Sequence, residues 1–219
     1  MNSITRRRSE EADRRRNDIL DAAEAIAAEL TIDALTMREV ARRCRLSRGL
    51  IYLYVNGKQE LLLALCERAY ARLRDRLERA AIHAHSGIDQ ICGMARLYEA
   101  FSRESPVRFK AIGRFEAFRL EQKGPKDAVA PIVGRLAIHR LLVGAIERGQ
   151  HDGSIGTNLP SANVTAMILW KLMHGILQGA LSQGPLPAKV GISPRALMDQ
   201  SVVLLQRWLA PRKEHAQGS

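Results

Sequence analysis

The stretch TMREVARRCRLSRGLIYLY, residues 36–54, decides the fold. Thr36 stands three residues before Glu39. That is the spacing of a capping box, in which the Thr hydroxyl accepts the free N–H at the third helical position and the Glu carboxylate reaches back. The helix it opens, about 37–44, places Val40, Ala41 and Cys44 on one side. Leu46 fills the turn, and Ser47 caps a second helix, about 48–54, with Leu50 and Ile51 facing inward. Ala41 is small enough to let the two helices cross closely. Two short helices joined by three or four residues fit a helix-turn-helix, here at about 37–56, whose second helix enters the major groove of duplex DNA.

On that placement the outward residues of the second helix are Ser47, Arg48, Gly49 and Tyr52, with Leu53 at the edge. Arg48 can fork onto a guanine, worth ~1–3 kcal/mol of discrimination when bidentate. Gly49 lets the backbone approach the duplex. Tyr52 and Tyr54 offer hydroxyls to phosphate, and the Tyr52 ring suits a thymine methyl. Lys58, with the N–H groups that begin the next helix, forms an anion site, and Thr36 is a second phosphate candidate. Arg38 and Arg45 complete the candidate DNA contacts. Spacing alone leaves two readings, a helix-turn-helix or a small basic helical surface that binds nothing.

Working outward, charge alternates along the chain. Residues 1–16 carry net +3, residues 17–37 net −5, and residues 38–58 net +5. The whole chain of 219 residues has a formal charge of +11, which suits a polyanionic partner. Ile19, Ala22, Ala23, Ile26, Ala27 and Leu30 form one helical stripe, preceded by a polar basic arm. The arm reads either as a minor-groove contact or as a solvated tail. Further helical patterns cover about 58–84, 87–104, 106–122, 126–149, 161–183 and 194–210, separated by Gly- and Pro-marked turns. No period-2 alternation is sustained, so the expectation is an all-α chain of about nine helices.

Several classes fall away. Three cysteines, Cys44, Cys66 and Cys92, match no disulfide framework and no zinc spacing, so no metal is expected and a reducing, cytoplasmic setting is. The longest apolar run, 61–66, is six residues against the ~20 needed to span a bilayer, and the basic N-terminus lacks the apolar core of a secretory signal. No membrane partner is therefore expected. Phosphate-loop, nucleophile-elbow, zinc-protease and paired-cysteine motifs are all missing from the sequence. Neither an enzyme nor a cofactor is expected.

The residues quoted above give the chain its resemblance to the TetR family of bacterial transcriptional regulators. The matching stretches are residues 19–23, 35–41 and 47–62. In the last of these Ser47, Gly49, Ile51, Tyr52, Tyr54, Lys58, Leu61 and Leu62 keep the family spacing. Four positions depart from it. Ala27 and Val55 replace aromatic residues, which implies a core repacked with smaller side chains; Thr31 and Arg45 replace glycines. If the turn requires φ > 0, Arg45 costs about 1 kcal/mol there and is accepted because its side chain reaches a phosphate.

The resemblance implies a basic arm at 1–16, a three-helix DNA-binding domain at 17–62, and an effector-binding and dimerisation domain at 63–219, joined by a long helix. It implies a homodimeric repressor of double-stranded DNA, released by a small-molecule effector. Competing readings are an effector-independent or non-specific DNA-binding protein, and a helical ligand-binding protein. Candidate effector contacts are Met94, Tyr98, Phe101, Phe115, Phe118, His139, Trp170 and His174. Each of them is equally a plain core residue by sequence. The residues themselves also point to self-association. Helix 194–210 is apolar on more than one face and so needs a second partner beyond its own core, most simply a twofold mate. Candidate interface residues are Val164, Ile168, Leu172, Gly175, Leu197, Val202, Leu205 and Trp208. The alternative there is a larger monomeric core.

Overall fold

Apolar spacing of three and four residues underlies most of the helices among the described residues. The computed structural model describes residues 3–121, 129–181 and 191–211, with the backbone alone for 3–4, 118–121, 129–130, 181 and 194. Nine helices and no strand occur among the described residues: α1 (Ser3–Glu29), α2 (Met37–Arg43), α3 (Arg48–Ile51), α4 (Lys58–Ala81), α5 (Gly87–Glu104), α6 (Pro106–Glu121), α7 (Val129–Asp152), α8 (Ala162–Leu181) and α9 (Pro194–Leu209).

The basic segment before residue 17 is not a separate arm. It is the exposed first half of α1, braced by Arg6–Glu10, Arg14–Glu11 and Arg15–Glu11 pairs at 3.1, 2.7 and 3.6 Å. Such i,i+3 and i,i+4 pairs stabilise a helix by a few tenths of a kcal/mol each. Where the helix ends, the Thr31 hydroxyl accepts the Ala34 N–H at 3.1 Å and holds the turn that a glycine would otherwise make.

The chain divides into two compact units, Met1–Ala71 with Ser105–Val133, and Arg72–Glu104 with Gly134–Ser219. The division differs from the expected boundary at 62/63, because α6 belongs with the helix-turn-helix. Ala111 lies in one cluster with Ile19, Ile26, Val40, Ile51 and Leu65, and Arg108 pairs with Glu24 at 2.7 Å. Ala27 and Val55 are buried in the same cluster, so the smaller side chains still fill core positions. Each fully buried Ile or Leu there contributes roughly 1.5–3 kcal/mol.

In the second unit α5, α8 and α9 pack on one another, and α7 meets the start of α5. Gly87 and Gly149 touch backbone to backbone, and a Cβ on Gly87 would overlap the main chain of the other. The Asp152 carboxylate locks this crossing by accepting from the Gly87 N–H at 2.8 Å and the Ser154 N–H at 2.9 Å. A hydrogen bond from the Ser154 side chain, with these two from the main chain, holds its carboxyl below the usual aspartate range. No described helix is long and apolar enough to cross a membrane.

Candidate nucleic-acid interface

The local sequence builds α2, the turn and α3 as expected, with three corrections. Thr36 caps α2, accepting the Glu39 N–H at 3.2 Å. Glu39 does not reach back; its carboxylate binds Arg42 at 2.5 and 3.0 Å, so the capping box is half formed. The turn then closes through Arg45 N–H to the Arg42 carbonyl at 3.2 Å and Leu46 N–H to the Ala41 carbonyl at 2.9 Å. This pair of bonds is a Schellman motif, which needs a left-handed residue after the C-cap. Arg45 supplies it at φ 55°, the one non-glycine with positive φ among the described residues.

Ser47 caps α3 by accepting the Leu50 N–H at 3.2 Å. The helix is a single turn, shorter than the expected 48–54. Ile51 is buried with Leu46, Tyr54 and Val55 on the core side. Leu50 is exposed rather than inward, because one turn can offer only one residue to the core. Leu50, Tyr52 and Leu53 thus form an exposed apolar edge beside Arg48, and a side chain at Gly49 would meet open space.

The charge alternation has a physical role. Acids of the 17–37 segment bind arginines brought from other helices: Glu29 takes Arg43 at 2.6 Å, Glu24 takes Arg108, Asp21 takes Arg68 and Asp33 takes Arg114. Hydrogen bonds from Arg43 and Arg42 lower the pKa values of Glu29 and Glu39. Arg38, Arg45 and Arg48 are exposed and make no salt bridge among the described residues, although the charge of Arg38 is felt by Glu39. Lys58 is half-buried and donates to the Asp33 carbonyl at 2.7 Å, which pins the α1–α2 loop to the start of α4. The expected anion site there is narrower than the sequence implied, since the Glu60 carboxylate takes the Asn56 N–H at 2.7 Å.

In the second unit three of the candidate effector contacts come together. Tyr98 stacks on Trp170 with ring centroids 5.0 Å apart, its hydroxyl lies 2.7 Å from His174 Nδ1, and Trp170 stacks on His174 at 5.9 Å. Met94, Tyr98 and Trp170 line a cavity of about 40 Å³ with Ile138, Leu142 and Leu205. Phe101 is buried beside Tyr98. Sequence reasoning missed Arg135, whose guanidinium sits 5.0 Å over the Trp170 ring; as one of three arginines in its helix it carried no signal that set it apart. His139 is half-buried and directed to Asn163 at 3.1 Å, outside the cavity lining. Phe115 lies in the other unit, edge-on to Tyr70, so it is not part of this group. The Phe118 side chain lies outside the described residues.

The candidate interface residues split. Val164, Leu172, Gly175, Leu197 and Trp208 are exposed and Ile168 is half-buried, whereas Val202 and Leu205 are buried within the protomer. α9 turns Met198, Ser201, Val202, Leu205 and Leu209 inward at helical spacing and leaves Leu197, Leu204 and Trp208 outside.

A helix-turn-helix with exposed arginines, in a chain whose described elements are all helices, is the arrangement of a helical DNA-binding module. Residues 19–65 match the model of the bacterial regulatory proteins, tetR family. The HTH-type transcriptional repressor KstR of Mycolicibacterium smegmatis is 30% identical over 110 residues, covering 50% of this chain and 54% of the relative. The chain thus spans about half the length of the curated KstR relatives it matches. A protein of unknown function from Rhodococcus sp. RHA1 shares the fold at a TM-score of 0.73 and 24% identity, covering 90% of this chain and 95% of that one. So does AibR, solved in complex with isovaleryl coenzyme A and operator DNA, at a TM-score of 0.65 and 15% identity, with 87% and 97% covered. Residues 19–65 thus carry the match to the tetR family of bacterial regulatory proteins, and the fold of the chain is shared with these solved structures.

Proposed function

We propose that the chain is a homodimeric repressor, working in the cytoplasm, that binds an inverted repeat in duplex DNA through residues 36–58 and leaves it when a small effector occupies the second unit. The observation that carries this reading is the turn itself: Arg38, Arg45 and Arg48 stand unpaired around an open Gly49 while neighbouring arginines are neutralised by acids. A surface selected only for solubility has no reason to leave three neighbouring arginines without a salt bridge. Thr36 and Ser47 use a lone pair for capping and keep the hydroxyl hydrogen for a phosphate oxygen. Tyr52 and Tyr54 supply further hydroxyls, and Lys58 keeps two ammonium protons beyond its bond to Asp33. Dimerisation through the outer stripes of α8 and α9 places two such units on one duplex.

The effector would enter the aromatic cavity. Its lining is almost wholly apolar, which favours an apolar or aromatic body, with Tyr98 as the polar group in the lining and His174 and Arg135 set beside the Tyr98 and Trp170 rings. AibR, held with isovaleryl coenzyme A and operator DNA, supports an acyl-type effector on this fold. At about 40 Å³ the cavity must enlarge to admit one. Met94 and Met173, being unbranched, are the side chains best able to yield. The effector then favours the state that binds DNA poorly, and linkage requires DNA to weaken the effector equally.

Fluorescence anisotropy with the duplex from upstream of the coding region, against a scrambled duplex, tests the reading. Tighter binding to the upstream duplex, lost in the Arg48→Ala/Lys58→Ala double variant, is expected. Equal affinity for the two duplexes would replace repression with non-specific binding, and undiminished binding by the double variant would remove the assigned interface.

A further inference from the structure

Of the two cavities described, the larger is not in the unit proposed to bind the effector. It lies in the first unit, under the α1–α2 loop, and measures about 330 Å³ against about 40 Å³ for the aromatic cavity. That volume falls in the range of small-molecule sites. Ile32, Leu62, Leu63, Ala111 and Phe115 make its apolar wall. The wall is held in place, since Phe115 meets Tyr70 edge-on at 6.2 Å and the Tyr70 hydroxyl donates to Glu116 at 2.9 Å.

The rim is cationic. Lys58 and Arg114 both line it, and among the described residues Asp33 is the one acid they hold between them, through its main-chain carbonyl for Lys58 and its carboxylate for Arg114. Two fixed positive charges against one negative leave a surplus positive charge beside a hydrocarbon wall. A ligand that satisfies both features has an apolar body and an anionic head.

We propose that this cavity binds an amphipathic carboxylate, its body against Phe115 and Leu62 and its head on Lys58 and Arg114, and that the bound acid takes Lys58 away from DNA phosphate. The acid neutralises one cation of the 38–58 block in each protomer and sets a negative group beside the duplex. Loss of one phosphate contact lowers the salt slope of DNA binding by about one per protomer. This coupling rests on the DNA-binding reading above, whereas the binding of the acid does not.

Titration calorimetry of the full chain with phenylbutyrate tests the first half, with phenylbutanol and acetate as controls. Saturable binding of phenylbutyrate is expected, at least about tenfold tighter than of either control, because a charge-assisted head contact is worth a factor of ten or more. Arg114→Gln and Gln59→Glu should each weaken it about tenfold. Both positions are exposed, so folding is checked simply by an unchanged circular dichroism melt. Absence of saturable binding, equal binding of phenylbutanol, or full affinity in both variants would each overturn the site; the last would put the acid elsewhere. A random-sequence duplex then tests the coupling. Phenylbutyrate should weaken duplex binding by the wild-type chain and leave Lys58→Gln unaffected. Bound acid with unchanged duplex affinity would overturn the coupling, while failure of the chain to bind any duplex at low salt would overturn the DNA reading instead and leave the acid site standing.

Discussion

The Leu46 amide donates to the Ala41 carbonyl at 2.9 Å, and this bond closes the helix-turn-helix with Arg45 in the left-handed region at φ 55°. A side chain there costs about 1 kcal/mol that glycine would not. Arg45 is exposed and without an acid partner among the described residues, so the fold gains nothing visible in return.

The strain predicts opposite effects on stability and binding. Arg45→Gly should leave folding stability unchanged or raise it by up to ~1 kcal/mol, and should weaken duplex binding while lowering its salt slope by about one per protomer. Urea denaturation and anisotropy titrations at several salt concentrations measure the two. Wild-type affinity with a wild-type slope in Arg45→Gly would remove Arg45 from the interface.

Much of this region was legible in sequence because its signals are local. Thr36, Ser47 and the apolar positions Val40, Ala41 and Ile51 act through neighbours three or four residues away, and each behaves as its spacing indicates. What sequence could not show is long-range. Lys58 is read as a free phosphate ligand until the fold brings the Asp33 carbonyl to it. Phe115 is grouped with the other aromatics until α6 is seen to pack with α1. Val202 and Leu205 cannot be told from Leu204 and Trp208 in a helix that is apolar on two faces, because periodicity does not say which face meets its own core.

The buried pair Tyr98 and His174 should matter to the stability of the second unit. Tyr98→Phe keeps the ring stack with Trp170 and deletes only the hydroxyl 2.7 Å from His174 Nδ1. Leaving a buried polar atom without such a partner costs about 1–3 kcal/mol. Urea denaturation followed through tryptophan emission should register that loss. A variant as stable as wild type would mean that the bond adds nothing net.

Asp152 gives the second unit a pH dependence. Hydrogen bonds from Ser154 and the Gly87 main chain lower its pKa in the folded state. The stabilisation is therefore complete above the unfolded value, about 3.9, and is lost as pH falls through the lower folded value. Asp152→Asn should melt below wild type at pH 7, and the gap should close as the pH is taken below ~4. Melting curves across that range check it, and a gap independent of pH would show that the carboxylate charge plays no part.

The two apolar faces of α9 predict two separable phenotypes. Met198, Val202, Leu205 and Leu209 are buried in the protomer, while Leu204 is 64% exposed and Trp208 38% exposed. On α8, Val164, Met167 and Leu172 are exposed as well, and side chains at Gly175 and Gly179 would meet no described atom within 4 Å. An apolar stripe on each of two packed helices, with small residues that admit close approach, suits a twofold mate. Leu204→Glu combined with Trp208→Glu should therefore halve the sedimenting mass and change protomer melting little, since exposed substitutions usually stay within about 0.5 kcal/mol. Val202→Ala should do the reverse, costing roughly 1–3 kcal/mol of folding stability and sparing the assembly. Losing the dimer also separates the two recognition helices, so the double variant should bind an inverted repeat no better than a single half-site. A wild-type chain that sediments as a monomer at micromolar concentration would refute the twofold arrangement, and the outer stripe would then need a different partner.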